Sequence, residues 1–100
     1  MITEEKVREA LREVIDPEVG VNVVDLGLVY AIRVRENRIS VDMTMTTRAC
    51  PLVEHIKDQA EAVIKEKIPE AGYVEVLMVW DPPWNPDMMS EEARKKLGRA

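Results

Sequence analysis

The stretch from Asp42 to His55, Asp-Met-Thr-Met-Thr-Thr-Arg-Ala-Cys-Pro-Leu-Val-Glu-His, constrains the fold more than any other part of the chain. Its first half alternates: Met43 and Met45 turn to one face, and Asp42, Thr44 and Thr46 to the other, which is the period of a strand. Its second half restarts as a helix at Cys50-Pro51. Proline suits a first helical position, because its ring fixes φ and the N–H it lacks would have no partner there. A short polar loop therefore joins a strand to a helix, and Cys50, the one cysteine of the chain, stands at or beside the helix N-cap.

A thiol at that place faces unpaired backbone N–H groups and the positive end of the helix dipole. Both favour thiolate over thiol, so its pKa should fall below the ordinary value of about 8.5. The charge of Arg48 pushes the same way. Thr46 and Thr47 lie where their hydroxyls can donate to a bound anion or sulfide. The alternative for each is structural: a lone cysteine often packs as a small hydrophobe, and threonine is simply a good strand residue. His55 is five positions beyond Cys50, roughly 140° around a helix. It is poorly placed to form a Cys–His pair.

The remaining composition narrows the class. One hundred residues, 46% hydrophobic and 33% charged, make one globular domain over residues 1–100 with one modest core. Phenylalanine is absent, so Val, Ile, Leu, Met and Ala must build that core. A net charge of −5 and the interleaving of acids and bases argue against nucleic acid as a partner. No apolar run approaches the ~20 residues of a membrane span. The N-terminal Met-Ile-Thr-Glu-Glu-Lys has no signal-peptide pattern, so a cytoplasmic protein with a free thiol is expected.

Along the chain, Thr3 followed by Glu4 and Glu5 predicts a helix start. Val7, Ala10, Leu11 and Val14 form its apolar stripe, and Asp16-Pro17 is expected to end it. An irregular loop follows, with Gly20 and Gly27 supplying backbone freedom. Its carboxylates Asp16, Glu18 and Asp25 either end the helix and stay solvated or edge a site. Leu28–Arg35 and Ile39–Thr46 read as antiparallel strands around a turn at Glu36-Asn37-Arg38, with Asn37 expected to take positive φ. Pro51–Lys67 reads as a helix with Leu52, Ile56, Ala60, Val63 and Ile64 inward. Tyr73–Trp80 is apolar on both faces apart from Glu75, so it is expected to be central or covered twice. The prolines of Asp81-Pro82-Pro83-Trp84-Asn85-Pro86 exclude regular structure. Trp84, Met88 and Met89 then either fold back onto the core or form a partner surface, and Ser90-Glu91-Glu92 begins a short last helix. The expected class is α+β: a small two-layer sandwich in the order α-β-β-α-β plus a short C-terminal helix, with helices on one face of a three-stranded mixed sheet.

Three motifs occur in order: Asp16-Pro17-Glu18 through Asp25-Leu26-Gly27-Leu28-Val29-Tyr30, then Thr46-Thr47-x-x-Cys50-Pro51, then Trp80-x-Pro82-x-Trp84-x-x-x-Met88-Met89-Ser90. Together they resemble the SufT/PaaD-like metal-sulfur cluster biosynthesis family, over nearly the whole chain. The resemblance implies a factor that helps assemble or deliver iron–sulfur clusters to client apo-proteins, alongside other assembly proteins. It implies Cys50 as the cluster, metal or sulfur ligand, with Asp16, Glu18, Thr46 and Thr47 grouped near it. Where family members often carry Pro-Gly before the Cys-Pro pair, this chain has Arg48-Ala49, whose extra positive charge favours a thiolate.

The expectation is a transient iron–sulfur carrier and not a turnover enzyme in its own right. A thiolate is a soft ligand suited to iron and sulfide. A cluster commonly takes about four protein ligands, and one chain offers one thiol. Two chains sharing a cluster as a homodimer, a partner protein or a small thiol must complete the set, or Cys50 handles iron or sulfur only in passing. Two rivals stand beside this reading. One is a thiol enzyme with Asp16 or Glu18 as base. The other is a non-catalytic adaptor that docks clients through the Trp84–Met89 arm.

Overall fold

A computed structural model describes residues 2–17, 19–45 and 53–96. The first helix, α1 (Glu4–Leu11), starts where the sequence marks it: Thr3 is extended and its hydroxyl accepts from Lys6 N at 3.2 Å. Val7, Ala10 and Leu11 are its buried face. It ends at Leu11, five residues before the expected stop at Asp16-Pro17. The backbone turns through Arg12 and Glu13, and the last residue of the stripe, Val14, is buried outside the helix. What ends α1 early is a short strand pairing that begins just beyond it. Ile15–Asp16 (β1) forms a two-residue antiparallel ribbon with Val21–Asn22 (β2), and Val23 N bonds Val14 O at 3.0 Å. Gly20, at φ 72°, closes the ribbon's turn by donating to Asp16 O at 2.8 Å.

The main sheet holds β3 (Val29–Arg35), β4 (Arg38–Met43) and β5 (Tyr73–Met78), in the order β3-β4-β5. β3 and β4 form the expected hairpin, with Ile32 opposite Val41 and Val34 opposite Ile39. Glu36, and not Asn37, takes positive φ (56°) in the turn. Asn37 instead anchors the third strand, its carbonyl accepting from Gly72 N at 2.8 Å. The helix α2 (Val53–Lys67) crosses back to bring β5 alongside β4 in parallel. β5 is therefore an edge strand with one face open, and not central or covered twice as its apolar faces led one to expect. The hairpin occupies one side of β4 and the crossover strand the other. Tyr73 and Leu77 pay for that position with 51% and 40% exposure.

α1 packs on β3 and α2, and α2 packs on β5. Ile39, Val41, Met43, Val74 and Val76 of the sheet meet Val7, Leu11, Ile56, Ala60 and Ile64 of the helices in one core. Fully burying each large aliphatic side chain contributes about 1.5–3 kcal/mol. Lys67 reaches Glu13 at 3.0 Å and ties the end of α2 to the turn after α1. The opposite sheet face carries Arg33, Ser40, Asp42 and Glu75, the polar face that the alternation predicts. Thr44 departs from that pattern. It is only 1% exposed because it lies beside Tyr30, where the C-terminal arm folds over the end of the sheet.

That arm begins after β5 with a cis Asp81–Pro82 bond. It contains a single 3-10 turn at Pro86–Met88, where proline takes a first position and the Asn85 side chain accepts from Asp87 N at 2.9 Å. The last described element, α3 (Glu91–Lys96), is capped by Ser90, whose Oγ accepts from Ala93 N at 3.1 Å.

Candidate functional site

Cys50, Thr46, Thr47, Arg48 and Glu18 lie outside the described residues. The frame on both sides of the cysteine segment is described. On the strand side, Thr44 N donates to Leu28 O at 2.8 Å and Met45 is buried. On the helix side, α2 is described from Val53, and His55 on it is exposed.

Asp16 is 4% exposed. It ends no helix: it sits in β1 opposite Val21, and its carbonyl accepts from Gly20 N. Aspartate is among the residues least often found buried, so this placement departs from the solvated-loop alternative. Asp25 has a plain structural role. Its carboxylate accepts from Arg12 Nη1 at 2.9 Å and Asn22 Nδ2 at 2.8 Å, while its own N–H donates to Asn22 Oδ1 at 2.9 Å. The hydrogen bond to Asp25 also holds the Arg12 guanidinium above its usual pKa range.

The first and third motifs are interlocked. Trp84 Nε1 donates to Leu26 O at 2.7 Å, Ser90 N donates to Asp25 O at 2.7 Å, and the Tyr30 hydroxyl donates to Pro82 O at 2.8 Å. Gly27, at φ 78°, lets the Met88 backbone come so close that a Cβ there would collide with the Met88 carbonyl. The arm thus folds back. Met89 is buried in the core, so in this conformation its side chain is not part of a partner surface, while Trp84 and Met88 stay half exposed.

Two residues at this junction carry no signal of a role in the sequence beyond their motif or strand position. Tyr30 has its pKa raised, first by burial and also by the charge of Asp81, against an opposing effect of the Thr44 hydroxyl. It is a neutral phenol whose proton goes to Pro82 O and whose oxygen lies 3.5 Å from Met88 Sδ. Thr44 Oγ1 neighbours that phenol without meeting hydrogen-bond geometry, and it is a buried hydroxyl with no partner among the described residues. Such a group costs about 1–3 kcal/mol. It sits two residues before Thr46, at the root of the cysteine segment. Among the described residues, no group of three or more His, Cys, Asp or Glu could hold a metal ion. Among them, too, no helix is long and apolar enough to cross a membrane.

The fold and these interlocked motifs define a small α+β domain that frames one thiol-bearing segment. A family model described as "Iron-sulfur cluster assembly protein" matches residues 4–78, and the chain belongs to that family. It is 49% identical over 86 residues to the Staphylococcus aureus protein named Fe-S protein maturation auxiliary factor SufT, covering 85% of this chain and 97% of that one. It is 41% identical over 95 residues to the Bacillus subtilis Fe-S protein maturation auxiliary factor YitW, covering 94% and 92%. A Bacillus anthracis crystal structure described as a domain of unknown function, DUF59, superposes with a TM-score of 0.93 at 40% identity, over 97% of this chain and 92% of that one.

Proposed function

We propose that this chain is a cytoplasmic iron–sulfur maturation factor that passes iron, sulfide or a cluster to client apo-proteins through the thiolate of Cys50. The observation that carries the reading is the near full-length match to two proteins named Fe-S protein maturation auxiliary factors, in a chain with a single cysteine. The cluster is cargo and not a resident cofactor. Cys50 is the one thiolate the chain can offer, and a cluster commonly takes about four protein ligands, so a second molecule must complete the set. Incomplete ligation suits a carrier, which has to release what it holds. Thr46, Thr47 and Arg48 act beside the thiol as hydroxyl donors and a positive charge. Asp16 and Glu18 complete the surroundings, and the burial of Asp16 supports its part in them.

Anaerobic incubation with iron and sulfide tests the reading, followed by absorption and Mössbauer spectra, iron and sulfide analysis, and size-exclusion chromatography. The expected result is fewer than one cluster per chain, lost in Cys50→Ser. A tightly held cluster on a strict monomer, unchanged by Cys50→Ser, would contradict both the ligand and the carrier role.

A further inference from the structure

β5 is an edge strand, and its backbone shows which groups face outward. Tyr73 N donates to Asn37 O, and Val79 N donates to Met43 O at 2.8 Å. Side chains and backbone groups alternate along a strand, so Tyr73, Glu75, Leu77 and Val79 turn their N–H and C=O groups toward β4. Val74, Val76 and Met78 turn theirs away from the sheet. Among the described residues one group meets this outer row. Glu61, half-buried on α2, places Oε2 3.1 Å from Val76 N.

We infer that the outer edge of β5 is a pairing site for a second copy of this chain, held shut by Glu61. The row is self-complementary about Val76. In an antiparallel pair of two β5 strands, Val76 exchanges both hydrogen bonds with its counterpart, and Val74 does so with Met78 of the second copy. Glu75 then falls opposite Leu77, so no like charges stand directly across from each other. Leu77 becomes a diagonal neighbour of both Leu77 and Tyr73 of the second copy, within reach of long and aromatic side chains. These two are the large apolar residues that β5 leaves exposed, at 40% and 51%. The Glu61 carboxylate occupies the acceptor position on Val76 N–H that the second strand's carbonyl would take, at the centre of the two-fold. An unguarded edge of this kind is a template for association. One charged side chain, seated on the central donor, closes it.

The test compares the full chain with Glu61→Gln, Glu61→Ala and the double variant Glu61→Ala/Leu77→Glu. Self-association is measured by analytical ultracentrifugation, and amide hydrogen exchange is read at Val74, Val76 and Met78. Glu61→Gln keeps an acceptor oxygen and should behave as the parent chain does. Glu61→Ala should self-associate at least about tenfold more strongly, with slowed exchange at all three amides in the dimer. The added Leu77→Glu sets a carboxylate directly opposite Glu75 of the second copy, twice about the two-fold, and should reverse the gain. Leu77 is exposed, so this change leaves the core intact, and circular dichroism checks the fold of each variant. Folded Glu61→Ala with unchanged self-association would overturn the inference. So would a stronger dimer in which the three amides still exchange freely.

Discussion

The indole nitrogen of Trp84 donates a 2.7 Å hydrogen bond to the carbonyl of Leu26, 58 residues earlier. Around it, Asp25 with Ser90, Gly27 with Met88 and Tyr30 with Pro82 make the first and third motifs a single packed unit. The occurrence of both motifs in one chain has a physical reason: each completes the other's backbone hydrogen bonds. Trp84→Phe keeps most of the apolar contact and removes the donor. It should cost about 0.5–1.5 kcal/mol in urea unfolding, and no loss would mean that the Leu26 carbonyl is satisfied by water.

Gly27 and Gly20 separate two effects of adding a methyl group. Both lie at positive φ, 78° and 72°, so alanine is strained at either. Nothing lies within 4 Å of a Cβ built at Gly20, whereas one at Gly27 meets the Met88 backbone. Gly27→Ala should therefore destabilise by about 1–3 kcal/mol more than Gly20→Ala. Equal losses in thermal or urea unfolding would show that the arm yields freely.

Thr44→Val replaces a buried hydroxyl, without a partner among the described residues, by a methyl group of similar shape. Removing that burden should leave stability unchanged or raise it by about 1 kcal/mol. A loss of similar size would mean that the hydroxyl finds a partner in solution, the Tyr30 phenol being the nearest candidate.

Asp42 accepts from Arg33 at 2.9 and 2.6 Å, and this hydrogen bonding holds its carboxyl below the usual range, with the Arg33 charge adding to it against burial. A carboxyl depressed in the folded state stabilises the fold above its unfolded pKa, and the benefit is lost as pH falls through the folded pKa. Arg33 is half exposed, so the effect is modest. Asp42→Asn should lower the urea midpoint by a constant amount above about pH 5, and the difference should close as the pH falls below about 4. A difference that persists unchanged into strong acid would contradict this assignment.

The elements legible in the sequence are those that local rules decide. Thr3 caps α1 because its hydroxyl reaches Lys6 N three residues on, and Ser90 caps α3 in the same way. The strand period of Ile39, Val41 and Met43 fixes which face is buried. The features missed depend on partners that lie outside each element's own residues. Val14 continues the helical stripe, yet the pairing of Ile15 with Asn22 and of Asp16 with Val21 takes it out of α1. β5 looks central from its own residues, and only the placement of β4 between its two neighbours makes it an edge. Thr44 is polar by alternation and buried because Tyr30 and the arm cover it. Of the candidate site, Asp16 is seen to be buried, and the Trp84–Met89 arm folds back with Met89 inside.

In the proposed function, Cys50 is the thiol through which this chain serves iron–sulfur maturation. Cluster transfer to apo-ferredoxin measures it most directly. The chain is loaded anaerobically with iron and sulfide, separated from free ions and mixed with the acceptor, and holo-ferredoxin is followed by its visible absorption with and without a strong iron chelator. Transfer should proceed within minutes from the parent chain, because non-thiolate ligands hold such units weakly, and should fall to the level of free iron and sulfide with Cys50→Ser. Equal transfer from a folded Cys50→Ser variant would contradict the account.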